Sequence, residues 1–154
     1  MKQLMIIGTD TDVGKTYVSG LILKKLHENG KKAAYFKAAM SGNVRLADGS
    51  LLPGDADFVK TVSGISQPLA DMCPYVYETA VSPHLAAKIE GNPIEWEKIQ
   101  ETYDTLCGTY DFVTVEGSGG ILCPLRHDET ASFSLADFVK SPVSYTHLTL
   151  PTIL

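Results

Sequence analysis

The stretch Gly8-Thr9-Asp10-Thr11-Asp12-Val13-Gly14-Lys15-Thr16 combines two glycines, a lysine and a terminal hydroxyl in one polar run. A loop of this kind ahead of a helix can turn its backbone N–H groups onto phosphate oxygens, and the helix N-terminus adds positive dipole. In that setting Lys15 reaches the β/γ-phosphates and the Thr16 hydroxyl can ligate Mg²⁺. The usual pattern, G-x-x-x-x-G-K-[ST], is missed by one residue, because five residues separate Gly8 from Gly14. Its second half, Gly14-Lys15-Thr16, is intact. Glu116 closes the apolar segment DFVTVE and precedes Gly117-Ser118-Gly119-Gly120. A carboxylate there suits a Mg²⁺ ligand of the acidic kind that follows a core strand in phosphoryl-transfer sites.

Other candidates are less specific. Lys37 ends the segment KAAYFK, where a lysine is as much at home in solvent as in a site. Asp55 and Asp57 open a helix, where carboxylates also cap or complement the dipole. His84 follows Ser82-Pro83 and reads as a contact at a helix start. No Ser/His/Asp set and no zinc-type spacing is visible.

These residues need elements to hold them. Lys2–Gly8 and Lys32–Lys37 read as buried strands, and Asp111–Glu116 as another. Val18, Leu21, Ile22 and Leu26 fall on one face of a helix that Asn29-Gly30 closes. Further helices are predicted at Asp55–Ser63, at His84–Glu90 after a Ser82 cap and Pro83, and from Pro93 to Gly108 along Trp96, Ile99, Tyr103 and Leu106. Leu135–Val139 is helical in pattern, and a small hairpin is expected at Asp48-Gly49. Strands alternating with helices imply βαβ units and a parallel sheet. Ligands in such sheets bind beyond the C-terminal strand ends, so Lys15, Lys37 and Glu116 are expected at one edge.

Composition narrows the class. The chain has 154 residues, 44% of them hydrophobic and 20% charged, as in a globular domain. Its net charge of -5 argues against nucleic acid as the main partner. No apolar run approaches the ~20 residues of a membrane span. Met1–Leu4 lead straight into a strand, so no signal peptide is expected. Cys73, Cys107 and Cys123 are odd in number and lack CxxC spacing, which points to reduced thiols and a cytoplasmic setting.

Together these segments resemble the dethiobiotin synthetase family. Residues 8–16 match its motif Gly-Thr-Asp-Thr-(Asp/Glu)-Val-Gly-Lys-Thr throughout, including the extra spacer. Lys37 and Ser41-Gly42 match its strand-end lysine and following Ser-Gly, with Ala38 in place of the usual proline. Gly54-Asp55-Ala56, Thr79–His84 and Val115-Glu116-Gly117-Ser118-Gly119-Gly120 match three more segments, the last with one Ala-to-Ser change. The resemblance covers residues 1–141 and implies a P-loop NTPase-like α/β fold, with a mainly parallel sheet flanked by helices and incomplete at the C-terminus. It implies ATP bound by Asp12, Val13, Gly14, Lys15, Thr16, Tyr17, Asp55, Glu116, Gly117, Ser118 and Gly119, and Mg²⁺ held by Thr16, Asp55 and Glu116. It implies substrate contacts from Thr11, Lys37, Ser41 and Gly119, with Lys37 and Lys15 catalytic. The implied reaction is Mg-ATP-dependent carboxylation and ring closure of 7,8-diaminononanoate with CO₂ or bicarbonate, by a homodimer without nucleic-acid or membrane partners.

Two other P-loop readings compete. Partitioning or septum-positioning ATPases resemble Lys-Gly-Gly-Val-Gly-Lys-Thr, and Asp10 stands where their lysine would be. A cobyrinate-type amidoligase would need far more chain for its glutaminase domain. The end of the chain reads differently from the rest. Residues 143–152 are one frame of GTCTCTTATACACATCTGACGCTGCCGACG, which resembles a transposase-type sequencing adapter. Residues 1–141 are therefore expected to be the P-loop α/β domain and 142–154 a non-native tail, poorly ordered or loosely attached, with the 154-residue chain inactive by itself.

Overall fold

The computed structural model describes residues 2–140 and, as backbone alone, 146–149. The elements run β1 (Lys2–Ile7), α1 (Lys15–Glu28), β2 (Ala33–Phe36), a hairpin of β3 (Val44–Arg45) and β4 (Leu51–Leu52), and α2 (Gly54–Ser63). There follow α3 (Pro83–Ile89), α4 (Trp96–Thr109), β5 (Phe112–Glu116), a hairpin of β6 (Pro124–His127) and β7 (Ser132–Ser134), α5 (Leu135–Lys140) and β8 (Thr146–Thr149). The main sheet has the order β2-β5-β1-β8, and its neighbouring strands are all parallel.

Parallel strands require crossovers, and the crossover helices cover both faces. Side chains therefore alternate between two cores. Ala34, Phe36, Val113 and Val115 face Ile99, Tyr103 and Leu106 of α4 and Phe138 of α5. Ala33 and Tyr35 face Leu23 of α1 and Ala56 and Val59 of α2. The first core centres on aromatic rings, with Phe36–Tyr103 and Tyr103–Phe138 centroids 5.3 Å apart and Trp96 edge-on to Phe138.

Two expectations change. In α1 the buried residues are Lys15, Ser19, Gly20 and Leu23, while Leu21, assigned to the apolar stripe, is 43% exposed. Two contacts fix that rotation. Gly20 lets α2 come close, since a Cβ on it would stand 3.3 Å from Val62 Cγ1. Ser19 is drawn inward by a hydrogen bond to Glu116. In α3, Ser82 is the N-cap residue but its side chain makes no capping bond. Within the stretch expected to be a loosely attached tail, Thr146–Thr149 pairs with β1. An unpaired edge of β1 presents a row of backbone donors and acceptors to which an extended segment can bond. Residues 142–145 and 150–154, the remainder of that tail, lie outside the described residues, as does residue 141.

Phe138 contacts Phe36, Tyr103 and Trp96 at once and is 1% exposed. Phe138→Ala is expected to lower the unfolding free energy by about 3–5 kcal/mol, read from denaturant titration. A loss below about 1 kcal/mol would show that α5 is not part of the cooperative core.

Candidate functional site

Strand register brings the candidate residues to one sheet edge. Ile6 stands opposite Glu116 and Phe36 opposite Val115, so Gly8, Lys37 and Glu116 all emerge at the C-terminal ends of adjacent parallel strands. Lys15 and Thr16 begin α1 at that edge. The loop before α1 needs unusual backbone. Gly14 has φ 92, and Asp12, one of the few residue types that adopt it readily, has φ 56. Gly8 is required by space, because Val13 Cγ2 would lie 2.6 Å from a Cβ placed there.

A cavity of about 830 Å³ opens at this edge. Of the sequence-predicted site residues, Thr11, Asp12, Gly14, Lys15, Thr16, Tyr17, Lys37, Ser41, Asp55, Glu116, Ser118 and Gly119 line it. Val13 and Gly117 do not. Val13 packs on Gly8, and Gly117 donates its N–H to the Ile6 carbonyl beneath Leu135. The Ser118 hydroxyl is committed to the Ala39 carbonyl at 2.6 Å, tying the Gly-rich loop to the chain beyond β2. Asp57 and His84 are also outside the cavity; the buried His84 Nδ1 has no hydrogen-bond partner among the described residues, and His84 borders a smaller hollow beside Arg126.

Glu116 organises the floor. It is 1% exposed, and both of its oxygens are occupied. Oε1 accepts from Thr16 Oγ1 at 2.8 Å and Lys37 Nζ at 3.0 Å. Oε2 accepts from Ser19 Oγ at 2.8 Å and the Tyr35 hydroxyl at 3.1 Å. Lys37 also donates to Asp55 Oδ2, so one ammonium joins the two carboxylates. Burial alone would pull the Lys37 ammonium down, but Glu116 and Asp55 outweigh it and hold it above the ordinary lysine range. Lys15 differs: burial and then the Lys37 charge lower its pKa, and its Nζ donates to the Asp10 carbonyl inside its own loop.

The donors suit Mg²⁺. Two carboxylates and one hydroxyl, from β5, α2 and α1, face the same cavity. Mg²⁺ takes one or two carboxylates and completes its shell with phosphate oxygens and water. Among the described residues no group of three or more His, Cys, Asp or Glu side chains could form a closed all-protein cage.

Sequence reasoning missed Ser19 and Tyr35. Ser19 carried a weak signal, a hydroxyl one turn after Lys15. Tyr35 carried none, because a tyrosine in an apolar strand reads as core.

This fold and this edge define a P-loop NTPase-like α/β domain. Residues 2–143 match the family described as an AAA domain, and the chain belongs to it. The chain is similar to the ATP-dependent dethiobiotin synthetase BioD of Clostridium novyi (strain NT), 49% identical over 137 residues, which are 89% of this chain and 57% of that protein. It is also similar to the proteins of that name from Clostridium kluyveri (strain NBRC 12016), 44% identical over 90% of this chain and 57% of the relative, and Brachyspira hyodysenteriae (strain ATCC 49526 / WA1), 42% identical over 90% and 61%. The resemblance read from the motifs is thereby borne out. The chain spans about three-fifths of the length of these curated relatives. Among the described residues no helix is long and apolar enough to cross a membrane.

Lys37→Met removes the cation from a fully buried carboxylate and is expected to cost about 3–5 kcal/mol of stability. Glu116→Gln in the same chain should restore more than half of it, since the buried charge is then gone. The Asp55 contact adds little to either number, because Asp55 is 40% exposed. Lys37 is raised in the folded state, so its contribution is complete at neutral pH and is lost only as pH rises above 10.5. Equal stability of the single and double variants would refute the pairing.

Proposed function

We propose that this chain is the N-terminal part of a dethiobiotin synthase, an ATP-dependent cyclo-ligase of biotin synthesis that converts 7,8-diaminononanoate and CO₂ into dethiobiotin, with release of ADP and phosphate. One observation carries the reading. Two buried lysines, one on the phosphate loop and one at a neighbouring strand end, share a cavity with three oxygen donors of the kind Mg²⁺ takes. The named relatives support the choice of reaction.

The chemistry sets the requirement. One amine of the diamine takes up CO₂ as a carbamate, and a carbamate oxygen attacks the γ-phosphate of ATP. The second amine then closes the ring on the mixed anhydride and releases phosphate. Carbamate and triphosphate are both anions, so their approach needs fixed positive charge and positioning. Lys37, charged throughout the neutral range, is no proton acceptor; its role is electrostatic, toward the carbamate. Lys15 and the N–H groups from Asp12 to Tyr17 face the phosphates, and added anionic charge there favours the ammonium form of Lys15 that burial opposes. Ser118 and Gly119 line the cavity, with Gly117 behind them bonded to the Ile6 carbonyl, and Thr11, Ser41 and Gly119 offer polar contacts to carbamate or diamine. Thr16, Asp55 and Glu116 would hold Mg²⁺, which supplies charge neutralisation at the phosphates.

The proposed setting is the cytoplasm, in keeping with three free thiols, and the proposed assembly is a homodimer of the longer protein. Residues 142–154 are proposed to be non-native, which leaves the nucleobase without its pocket and the 154-residue chain without turnover.

The test is product formation from the diamine, bicarbonate and Mg-ATP, using this chain beside a version extended to the relatives' length. Dethiobiotin from the extended protein alone is the expected result, and its absence from well-folded extended protein would overturn the reading. In that protein Lys15→Ala and Lys37→Ala should each lower kcat by about 10²–10³-fold. Asp55→Asn should raise the Mg²⁺ requirement more than Asp57→Asn does; the reverse ranking would remove Asp55 from the metal site.

A further inference from the structure

We propose that Tyr35 is a positioning residue for Glu116: its hydroxyl holds Oε2 so that Oε1 is the oxygen presented to Thr16, Lys37 and the cation. The inference rests on the reading of Glu116 as a Mg²⁺ ligand.

A carboxylate at the end of a strand can rotate and offer either oxygen, or both. Here the two oxygens are treated differently. Oε1 meets Thr16 and Lys37, both of which line the cavity. Oε2 meets Ser19 and Tyr35, neither of which does. The two Oε2 donors are also unequal. Ser19 Oγ lies 2.8 Å from Oε2 and 2.9 Å from the Lys15 carbonyl, and both of those atoms only accept. A serine has one proton, so it cannot satisfy both fully. The Tyr35 hydroxyl has Glu116 as its acceptor, and the side chain is wholly buried.

Tyr35 is itself clamped. On one side β2 pairs with β5, with Tyr35 opposite Thr114. On the other, at the free edge of the sheet, the Gln67 side-chain amide does what a further strand would do. Its Oε1 accepts from the Tyr35 N–H at 2.8 Å, and its Nε2 donates to the Tyr35 carbonyl at 2.9 Å. Gln67 is 1% exposed. The ring thus projects from backbone fixed on both edges, which is how a partner orients a ligating carboxylate rather than merely fills space.

The experiment is a Mn²⁺ titration of the protein extended to the relatives' length by electron paramagnetic resonance, with the β,γ-imido analogue of ATP present, paired with analogue binding in EDTA. Tyr35→Phe deletes one oxygen and keeps the ring. It should weaken Mn²⁺ binding roughly 10–100-fold and leave metal-free analogue binding within about twofold of wild type. Glu116→Gln is the reference. If it weakens Mn²⁺ binding and Tyr35→Phe does not, the Tyr35 proposal is overturned and the metal reading stands. If neither changes Mn²⁺ binding, the metal reading itself fails and takes the proposal with it. An equal loss in both titrations of Tyr35→Phe would mark a general structural defect and also overturn the proposal. Should Tyr35→Phe not fold, p-aminophenylalanine at position 35 decides, because it restores an N–H donor at the same place. Binding of Mn²⁺ within about twofold of wild type supports the proposal, and a tenfold loss overturns it.

Discussion

A carboxylate buried at the end of a central strand has to be met by donors from every side, and in this molecule that carboxylate is Glu116. An unpaired buried charge would cost several kcal/mol. Each of its two oxygens therefore accepts two hydrogen bonds, from a helix hydroxyl and a lysine on one side and from a helix hydroxyl and a phenol on the other. Those donors come from α1, from β2 and from the residue just past β2. The demand of one side chain thereby fixes the rotation of α1, the height of β2 against β5, and, through Lys37 and Asp55, the approach of α2.

The two lysines of the cavity illustrate how position changes a charge. Lys37 sits between two carboxylates, and their attraction exceeds the penalty of burial, so the ammonium is secure. Among the described residues Lys15 has no carboxylate in hydrogen-bond contact, and it turns to the Asp10 carbonyl of its own loop. It is the cation that lacks a matching anion, and it stands where the phosphate loop opens into the cavity. An anionic ligand brought there meets donors already arranged around a helix N-terminus, which lowers the reorganisation that binding requires.

This chain, which spans about three-fifths of the length of the curated relatives, holds the phosphate loop, both lysines and the three oxygen donors. They come from the end of β5, the residue just past β2, and the first turns of α1 and α2. Parallel topology explains the grouping: each crossover returns the chain in the same direction, so successive strand ends accumulate at one edge. The edge that carries the candidate site is thus present in a segment well short of the relatives' length.

Local pattern determined much of this protein. The strands at Lys2, Ala33 and Phe112, the helices between them, the Asp48-Gly49 hairpin and the loop from Gly8 to Thr16 all follow from periodicity, turn residues and glycine spacing, which are properties of short windows. The parallel order then placed Lys15, Lys37 and Glu116 together. Other features were decided only in three dimensions. The buried face of α1 is not its most apolar stripe, because Ser19 answers Glu116 and Gly20 admits α2. Tyr35 and Gln67 look like ordinary strand and loop residues until the sheet brings one hydroxyl to a carboxylate and one amide to a free strand edge. Contacts between residues 81 or 32 positions apart leave no trace in a short window, since their energy exists only once the sheet has formed.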